Sequence, residues 1–199
     1  MSRTTILHAV RQAQDVRAHR HPPHEVKTTP SFDLNTTPSL AEFIATLDLI
    51  GAQVIRGRSF SEAAAWLSEN VPAQASTASR VVELPGTVDL SAIHDPHLLD
   101  GIHTAILPAR FGVCENGAVW LDETELGPHR VLPFIAEHLF LVLKARELVS
   151  TMHQAYQRIG SIETGFGLFL AGPSKTADIE QCLVIGAHGA RGATVFILD

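Results

Sequence analysis

The sequence predicts an α/β fold built on a mixed, mostly parallel sheet that is flanked by helices. Short apolar segments of strand length recur along the chain, and several are rich in Val, Ile, Phe or Trp. Continuous apolar strands that alternate with helices are typical of a sheet covered on both faces. With 199 residues, of which 45% are hydrophobic and 18% charged, the chain can form one core of ordinary size.

The N-terminal region predicts a helix followed by an irregular arm. Apolar residues recur there at helical spacing after hydroxyl residues, which predicts a helix over residues 4–19. The next segment carries several prolines and no periodicity, so we expect an arm without regular structure over 21–38. We therefore expect an N-terminal helix and arm over 1–38 and a single α/β domain over 39–199.

Two Ser-x-x-Glu patterns predict the first helices of this domain. Ser39 opens a helix that ends near Gly51, and Ser59 opens another that extends through Leu67. Between them, AQVIRG predicts a short buried strand. Further strands are predicted at SRVVEL, HTAIL, GAVWL, FLVLKA, GLFLAG and ATVFIL, and further helices at about 145–159 and 176–185.

Composition excludes several classes of function. Asp and Glu number 21 against 15 Lys and Arg, and no basic stripe is present, so nucleic acid is not an expected partner. The two cysteines, Cys114 and Cys182, cannot hold an iron–sulfur cluster by themselves, and we expect both as reduced thiols. Charged residues interrupt the longest apolar window and no signal peptide is recognisable, so we expect a cytoplasmic protein without a membrane span. No metal site is predicted, because the histidines of HRHPPH lie in the proline-rich arm without fixed geometry.

The segment GPSKTADIE, at 172–180, is the first candidate site. It follows a predicted strand and opens a predicted helix, so backbone N–H groups, the helix dipole and Lys175 would surround one point that suits an anion. The structural alternative is that Ser174 or Thr176 caps the helix and that Asp178 complements its dipole. The candidate ligand-binding residues of this segment are Gly172, Ser174, Lys175, Thr176 and Asp178.

A second glycine-rich loop follows at 186–192. Its glycines allow the backbone to approach a ligand or a neighbouring chain closely, and Gly189 and Arg191 are candidate ligand-binding residues. His188 is a candidate general acid or base, because its ordinary pKa lies near ~6.5. The structural alternative is a histidine that takes no part in chemistry.

The third candidate is the turn Glu115-Asn116-Gly117 between two predicted strands. Asn-Gly is a strong signal for a two-residue hairpin turn, so a plain hairpin is one interpretation. The other makes Glu115 a catalytic base or nucleophile at a strand end, with Gly117 beside the ligand. The neighbouring carboxylate tends to raise the pKa of the Cys114 thiol, which argues against a thiol nucleophile.

These segments resemble the lactate-utilization protein C family, which carries the LUD domain. The resemblance includes 172–180, the segment Gly-Ala-His-Gly at 186–189, the terminal strand TVFIL and the segment GVCENGA, and it covers about residues 100–199. The chain differs from the family pattern at Asn116, where threonine is usual, at Lys175, where arginine is usual, and at Ala190, where proline is usual.

The resemblance implies a fold like that of NagB, RpiA and the CoA-transferases. It also implies an accessory component of a system that oxidises L-lactate to pyruvate, in which iron–sulfur partner proteins carry the electron chemistry. This chain would then hold no cofactor of its own, and the three candidate segments would meet at one rim of the sheet. There they would bind a small carboxylate, a phosphate-bearing ligand such as CoA, or a partner surface.

An alternative function follows from the similarity of Glu115-Asn116-Gly117 to the nucleophile segment of class I CoA-transferases. On this hypothesis the chain is a stand-alone enzyme of the CoA-transferase or sugar-phosphate isomerase kind, with Glu115 as nucleophile or base and His188, Lys175 and Arg191 around the anion. A third interpretation treats all three motifs as caps and turns, since a fold does not entail the chemistry of its relatives.

Overall fold

The computed structural model describes residues 3–20, 34–160, 165–177 and 183–199. The chain divides into two compact units, Met1–Asp33 and Leu34–Asp199. In the first unit, helix α1 spans Arg3–Arg20, as the apolar periodicity predicts. Residues 21–33, most of the expected arm, lie outside the described residues, so the division after residue 38 stays a prediction.

The second unit contains both helices and strands. Its described α-helices are α2 (Leu40–Leu49), α3 (Phe60–Asn70), α4 (Glu123–Leu126), α5 (Leu132–Ile135) and α6 (Met152–Ile159), and 3-10 helices span Leu90–Ala92 and Pro96–Leu99. Its described strands are β1 (Gln53–Gly57), β2 (Thr77–Ser79), β3 (Thr104–Pro108), β4 (Phe111–Val113), β5 (Val119–Asp122), β6 (His138–Lys144), β7 (Leu148–Val149), β8 (Gly167–Leu170), β9 (Lys175–Ala177), β10 (Leu183–Ile185) and β11 (Gly192–Leu198). In this described part of the chain, no helix is both long enough and apolar enough to cross a membrane.

The central sheet has the strand order β1-β11-β6-β3-β2, and every neighbouring pair in it is parallel. On one face, Phe43 of α2 packs in the same cluster as Leu141 of β6. On the other face, Ala63 of α3 packs with Phe140 and Phe196. The prediction of a mixed, mostly parallel sheet flanked by helices is therefore confirmed.

A second sheet, with the order β7-β4-β5-β8, contains the antiparallel hairpin β4–β5, and β8 pairs antiparallel with β5. The hairpin is confirmed, and Glu115-Asn116-Gly117 lies in its loop. The loop is longer than the two-residue turn predicted from Asn-Gly, because the Val113 N–H donates to the Ala118 carbonyl and the Gly117 N–H to the Val113 carbonyl. Asn116 Oδ1 accepts the Ala118 N–H at 3.0 Å, and Gly117 has a φ of 68°, a conformation that favours glycine.

The serine caps of α2 and α3 are confirmed. Ser39 Oγ accepts the backbone N–H of Glu42 at 3.3 Å, and Ser59 Oγ accepts that of Glu62 at 3.3 Å. Each bond satisfies one donor of a helix N-terminus that has no partner within the helix. These local signals therefore fix where the two helices begin. Strand β1 lies between them as predicted, but it is an edge strand in which only Gly57 is buried, so the prediction of a buried strand is wrong.

Two predictions about the middle of the chain need correction. The segment SRVVEL is not a strand beyond Ser79, because the chain turns there and the Leu84 N–H donates to the Val81 carbonyl. Val81 and Leu84 are buried and Val82 is exposed, so two of the three apolar residues of this segment pack from a turn. The helix expected over 145–159 begins only at Met152, because residues 148–149 pair with β4 as strand β7.

The helix predicted over 176–185 is wrong in the described residues. Strands β9 and β10 form an antiparallel pair in which Lys175 lies opposite Ile185. The β-branched residues Thr176, Val184 and Ile185 suit a pleated strand better than a helix. Asp178 lies outside the described residues. The anion hypothesis for 172–178 therefore loses the helix N-terminus on which it depended.

Candidate functional site

A pocket of about 460 Å³ lies where β3 and β6 end, and we call it the carboxyl-edge pocket. It lies at the edge of the parallel sheet where ligands of open α/β folds usually bind. Four basic side chains from four separate segments line it: Arg80, Arg110, Lys144 and Arg158. Three acidic side chains also line it: Glu83, Glu125 and Glu147.

Three of the four basic groups are already oriented by protein contacts. Arg110 Nη1 donates to Asp122 Oδ2 at 2.7 Å, and the Arg158 guanidinium donates to the Glu147 carboxylate. Arg80 Nε donates to the Glu125 carbonyl at 3.0 Å. The Lys144 ammonium is exposed and has no ion pair or hydrogen bond among the residues described. The pocket thus contains rigid guanidinium groups beside one uncommitted cation.

The acidic residue Glu125 is a partly buried member of the pocket wall. Burial raises the pKa of its carboxyl above the ordinary value, and the nearby charge of Arg110 opposes this only in part. Four basic side chains and three acidic ones line the pocket, so its lining carries a formal excess of one positive charge. This charge suits a small anion.

Asp122 holds Arg110 in place and is itself almost fully buried. Its Oδ1 accepts the Thr124 N–H at 2.9 Å and caps α4. Burial by itself would raise the pKa of Asp122, but the hydrogen bonds from Arg110 and Thr124 outweigh it and hold the pKa below its ordinary value. Ionised Asp122 therefore stabilises the fold at neutral pH.

We expect Asp122→Asn to lower the free energy of unfolding at neutral pH by about 1.5–3 kcal/mol, the range for hydrogen bonds to charged groups. A carboxyl group whose pKa is lower in the folded than in the unfolded state stabilises the fold at pH values above its unfolded pKa. This contribution is lost as the pH falls through the pKa of the folded state. Urea unfolding at about pH 7 and about pH 3 should therefore show a large and then a small difference from the wild type. Asp100→Asn, at an exposed position, is the control, and a difference independent of pH would contradict this account.

The three candidate segments lie at the opposite edge, near the amino ends of β1 and β11. We call residues 115–117, 172–176 and 186–191 the glycine-loop cluster. Ile50, which follows α2, lies between two of the segments. A Cβ atom on Gly117 would lie 2.8 Å from Ile50 Cδ1, and one on Gly172 would lie 2.9 Å from the Ile50 carbonyl oxygen.

Backbone contacts join residues 172–176 to residues 186–191. The Ser174 N–H donates to the Ala190 carbonyl at 2.8 Å, and the Gly186 N–H donates to the Ser174 carbonyl at 2.9 Å. A Cβ on Gly189 would lie 3.1 Å from Ser174 Cβ. The three segments are therefore neighbours, although their ligand-binding role stays a prediction.

Several polar groups of the cluster are engaged in the structure itself. Lys175 Nζ donates to the Ile50 carbonyl at the C-terminal end of α2, where a cation also complements the helix dipole. Glu115 Oε2 accepts the Met152 N–H at 2.7 Å at the N-terminus of α6. Arg191 Nη1 lies 3.8 Å from Glu137 Oε2. The His188 side chain is exposed, and Thr176 belongs to β9.

Comparison with known proteins identifies the family. Residues 97–198 match the LUD domain. The chain belongs to the LUD domain family. Two similar curated proteins are each called Lactate utilization protein C. That of Shouchella clausii is 32% identical over 93 residues, 44% of this chain and 40% of the relative, and that of Bacillus pumilus is 30% identical over 95 residues, 45% and 39%.

An uncharacterized protein of Neisseria meningitidis serogroup B is 30% identical over 93 residues, 45% of this chain and 40% of the relative. The chain spans about two-fifths of the length of these curated relatives. A crystal structure of a DUF162 family protein from Deinococcus radiodurans matches with a TM-score of 0.62 over 82% of this chain and 100% of that chain. Its identity is 14%, so this likeness shows the fold alone.

Sequence reasoning missed the basic residues of the carboxyl-edge pocket in this LUD domain. In the structure, Arg80, Arg110 and Lys144 each lie at or just after the end of a strand, but SRVVEL was predicted as a strand with Arg80 near its start, so the sequence did not place all three at strand ends. Carboxyl ends of parallel strands meet at one edge, so basic residues at three such ends converge. Arg158 gave no comparable signal, because it reaches the pocket from α6.

Proposed function

We propose that this LUD domain protein is associated with lactate utilization and binds a small carboxylate or phosphate-bearing anion in the carboxyl-edge pocket. The observation that carries the proposal is the convergence of Arg80, Arg110, Lys144 and Arg158 on one pocket at the carboxyl ends of parallel strands. Guanidinium groups hold carboxylates and phosphates through two parallel hydrogen bonds, and an ammonium adds a point charge. The names of two relatives support the link to lactate, whose oxidation converts one monocarboxylate into another.

The proposed role is that of an accessory component, with the electron transfer carried by iron–sulfur partner proteins. Cys114 is buried, and burial raises the pKa of its thiol, which disfavours the thiolate that a cluster requires. The chain contains one further cysteine, Cys182, and four cysteines are the usual number of cluster ligands. A cluster in the proposed system therefore belongs to a partner.

The geometry of Glu115 gives less support to the enzyme alternative. Oε2 of Glu115 accepts the Met152 N–H at 2.7 Å at the start of α6, so this exposed carboxylate joins the hairpin to that helix. The contact by itself accounts for an acidic residue at this position. We therefore assign Glu115 a structural role in the hairpin.

Calorimetric titration of the purified protein tests the proposal. The ligands are L-lactate, pyruvate, phosphate, CoA and acetyl-CoA, and the proteins are the wild type, Lys144→Gln and Arg191→Gln. We expect at least one ligand to bind the wild type and Lys144→Gln to bind it about 10-fold more weakly or worse, since a charge-assisted hydrogen bond contributes about 1.5–3 kcal/mol. Arg191→Gln, which changes an exposed cation of the glycine-loop cluster, should bind as the wild type does.

Two results would overturn this assignment. Absence of binding by any of the five ligands would remove the anion site. A loss of affinity in Arg191→Gln with Lys144→Gln unaffected would move the site to the glycine-loop cluster, as the sequence first indicated. Thermal unfolding adds a second readout, because a ligand at ~100 times its Kd stabilises the fold by about 2.7 kcal/mol.

A further inference from the structure

A second polar pocket lies on the α3 face of the sheet, at the amino ends of four parallel strands. Its volume is about 270 Å³, and we call it the histidine-pair pocket because His103 and His138 line it together. The imidazole rings have centroids 4.9 Å apart and planes inclined by 32°. The other polar side chains of its wall are the amides and hydroxyls of Gln53, Asn70, Thr104 and Thr194 and the indole of Trp66. Within the wall, the Thr194 hydroxyl donates to Gln53 Oε1 at 3.2 Å and the Asn70 amide to the Trp66 carbonyl at 2.9 Å.

Both imidazoles are held in place by the sheet. His103 Nδ1 lies 2.8 Å from Thr104 Oγ1, and the backbone N–H of His138 donates to the His103 carbonyl at 2.8 Å. Gly192 of β11 packs directly on the other ring, since a Cβ there would lie 2.6 Å from His138 Nδ1. A side chain at position 192 would therefore displace His138.

The charges around the pair favour an anion. Among the described residues, no acidic side chain lines this pocket, in contrast to the carboxyl-edge pocket, which three glutamates line. The charged groups that act on His138 are His103 on β3, Glu137 just before β6, and Arg191 just before β11. The lining residues of α3, β1 and β11 are uncharged. Burial, followed by the charge of His103, lowers the pKa of His138 below its ordinary value.

We propose that the histidine-pair pocket is a second binding site for a small organic or inorganic anion, a carboxylate or a tetrahedral oxyanion, that binds together with a proton. The anion takes its place between the imidazoles and the hydroxyl and amide groups, and the proton is taken from solvent onto one ring nitrogen. An imidazolium donates from both ring nitrogens, whereas a neutral imidazole donates from one. Anion and proton therefore each strengthen the binding of the other.

A metal ion is the competing occupant of two adjacent histidines. Protein zinc sites use three or four Cys, His, Asp or Glu ligands. Within the described ranges, no group of three or more such residues is arranged to hold a metal ion. The remaining polar groups of this pocket are hydroxyls and carboxamides, which favours hydrogen bonding to an anion.

The test is calorimetric titration with sulfate and with pyruvate, whose charges stay constant across the pH range used. We expect the affinity of the preferred anion to fall by about 30-fold between about pH 6.5 and about pH 8.0, the result for uptake of one proton. Titrations in two buffers of different ionisation enthalpy count the protons directly. Sulfate and pyruvate serve as separate arms that distinguish a tetrahedral oxyanion from a carboxylate.

Variants assign the effect to this pocket. His138→Gln and His103→Gln should each lose at least about tenfold in affinity at about pH 6.5 and most of the pH dependence. The control His97→Gln, at an exposed position, should retain both. Titration of the His variants in a Lys144→Gln background separates this pocket from the carboxyl-edge pocket. If a His variant is poorly folded, the imidazole 15N chemical shifts of His138 in the wild type provide the test. Addition of the anion should move these shifts toward the values of a protonated imidazole.

Three outcomes would overturn the inference. The first is an affinity that does not change with pH, and the second is unaltered binding by His138→Gln. The third is loss of the same binding in Lys144→Gln with the His variants unaffected, because the anion then occupies the carboxyl-edge pocket. If Lys144→Gln binds every ligand as the wild type does while the His variants lose affinity, the histidine-pair site is supported and the function proposed above is contradicted.

Discussion

Phe43→Ala is expected to lower the free energy of unfolding by about 3–5 kcal/mol, the range for removal of a fully buried aromatic ring. Phe43 is completely buried on α2 and belongs to the core cluster that covers one face of the parallel sheet. The ring also fills the space left by Gly112, where a Cβ would lie 2.8 Å from Phe43 Cζ. No neighbouring side chain can occupy the volume of the ring without moving a strand, so a cavity should remain.

The matched control for this variant is Leu49→Ala in the same helix. Leu49 is 85% exposed, so its truncation should change the free energy of unfolding by no more than about 0.5 kcal/mol. Urea unfolding monitored by circular dichroism measures both variants. Equal losses in the two would mean that α2 is not packed on the sheet as described.

Gly172→Ala should be nearly as destabilising, for two separate reasons. Gly172 has a φ of 70°, where a side chain costs about 1–2 kcal/mol. A Cβ there would also lie 2.9 Å from the Ile50 carbonyl oxygen, a backbone atom that cannot rotate away. Forcing α2 and this loop apart should add about 1–3 kcal/mol.

Gly101→Ala separates the two contributions. Gly101 has a φ of 78°, but a Cβ there would meet no atom within 4 Å. We therefore expect Gly101→Ala to cost only the backbone strain of about 1–2 kcal/mol, and Gly172→Ala to cost clearly more in the same urea titration. If the two losses are equal, the contact between Gly172 and α2 has no energetic weight. Gly172→Ala should then leave the glycine-loop cluster intact.

The features that the sequence predicted correctly are those set by neighbouring residues. Ser39 and Ser59 cap their helices within one turn, and the Asn-Gly turn needs only the two strands beside it. The segment around Val184 was predicted as helix because a short apolar run carries little information about its period. Its pairing with β9 makes this segment a strand, and that pairing depends on the surrounding fold.

The candidate sites show the same difference between features set by neighbouring residues and features set by the surrounding fold. The three glycine-containing segments could be predicted to meet, because each follows or joins an apolar strand. The carboxyl-edge pocket could not be assembled from the sequence in the same way, because Arg80, Arg110, Lys144 and Arg158 come from four distant segments. The pairing of His103 with His138 likewise depends on the register of β3 against β6, which no local pattern fixes.

The position of β11 in the central sheet has a consequence for how the protein is made. β11 lies between β1 and β6, and among the described strands it is the only neighbour of β1. During synthesis β1 leaves the ribosome early, and β11 leaves it after all the other described strands. Strand β1 therefore has no partner strand while most of the chain is being made. Long waits of this kind slow folding and leave a strand edge open to other chains. Chaperone dependence during synthesis, and recovery of the folded state after dilution from urea, should therefore be governed by how quickly residues 192–198 pair with β1 and β6.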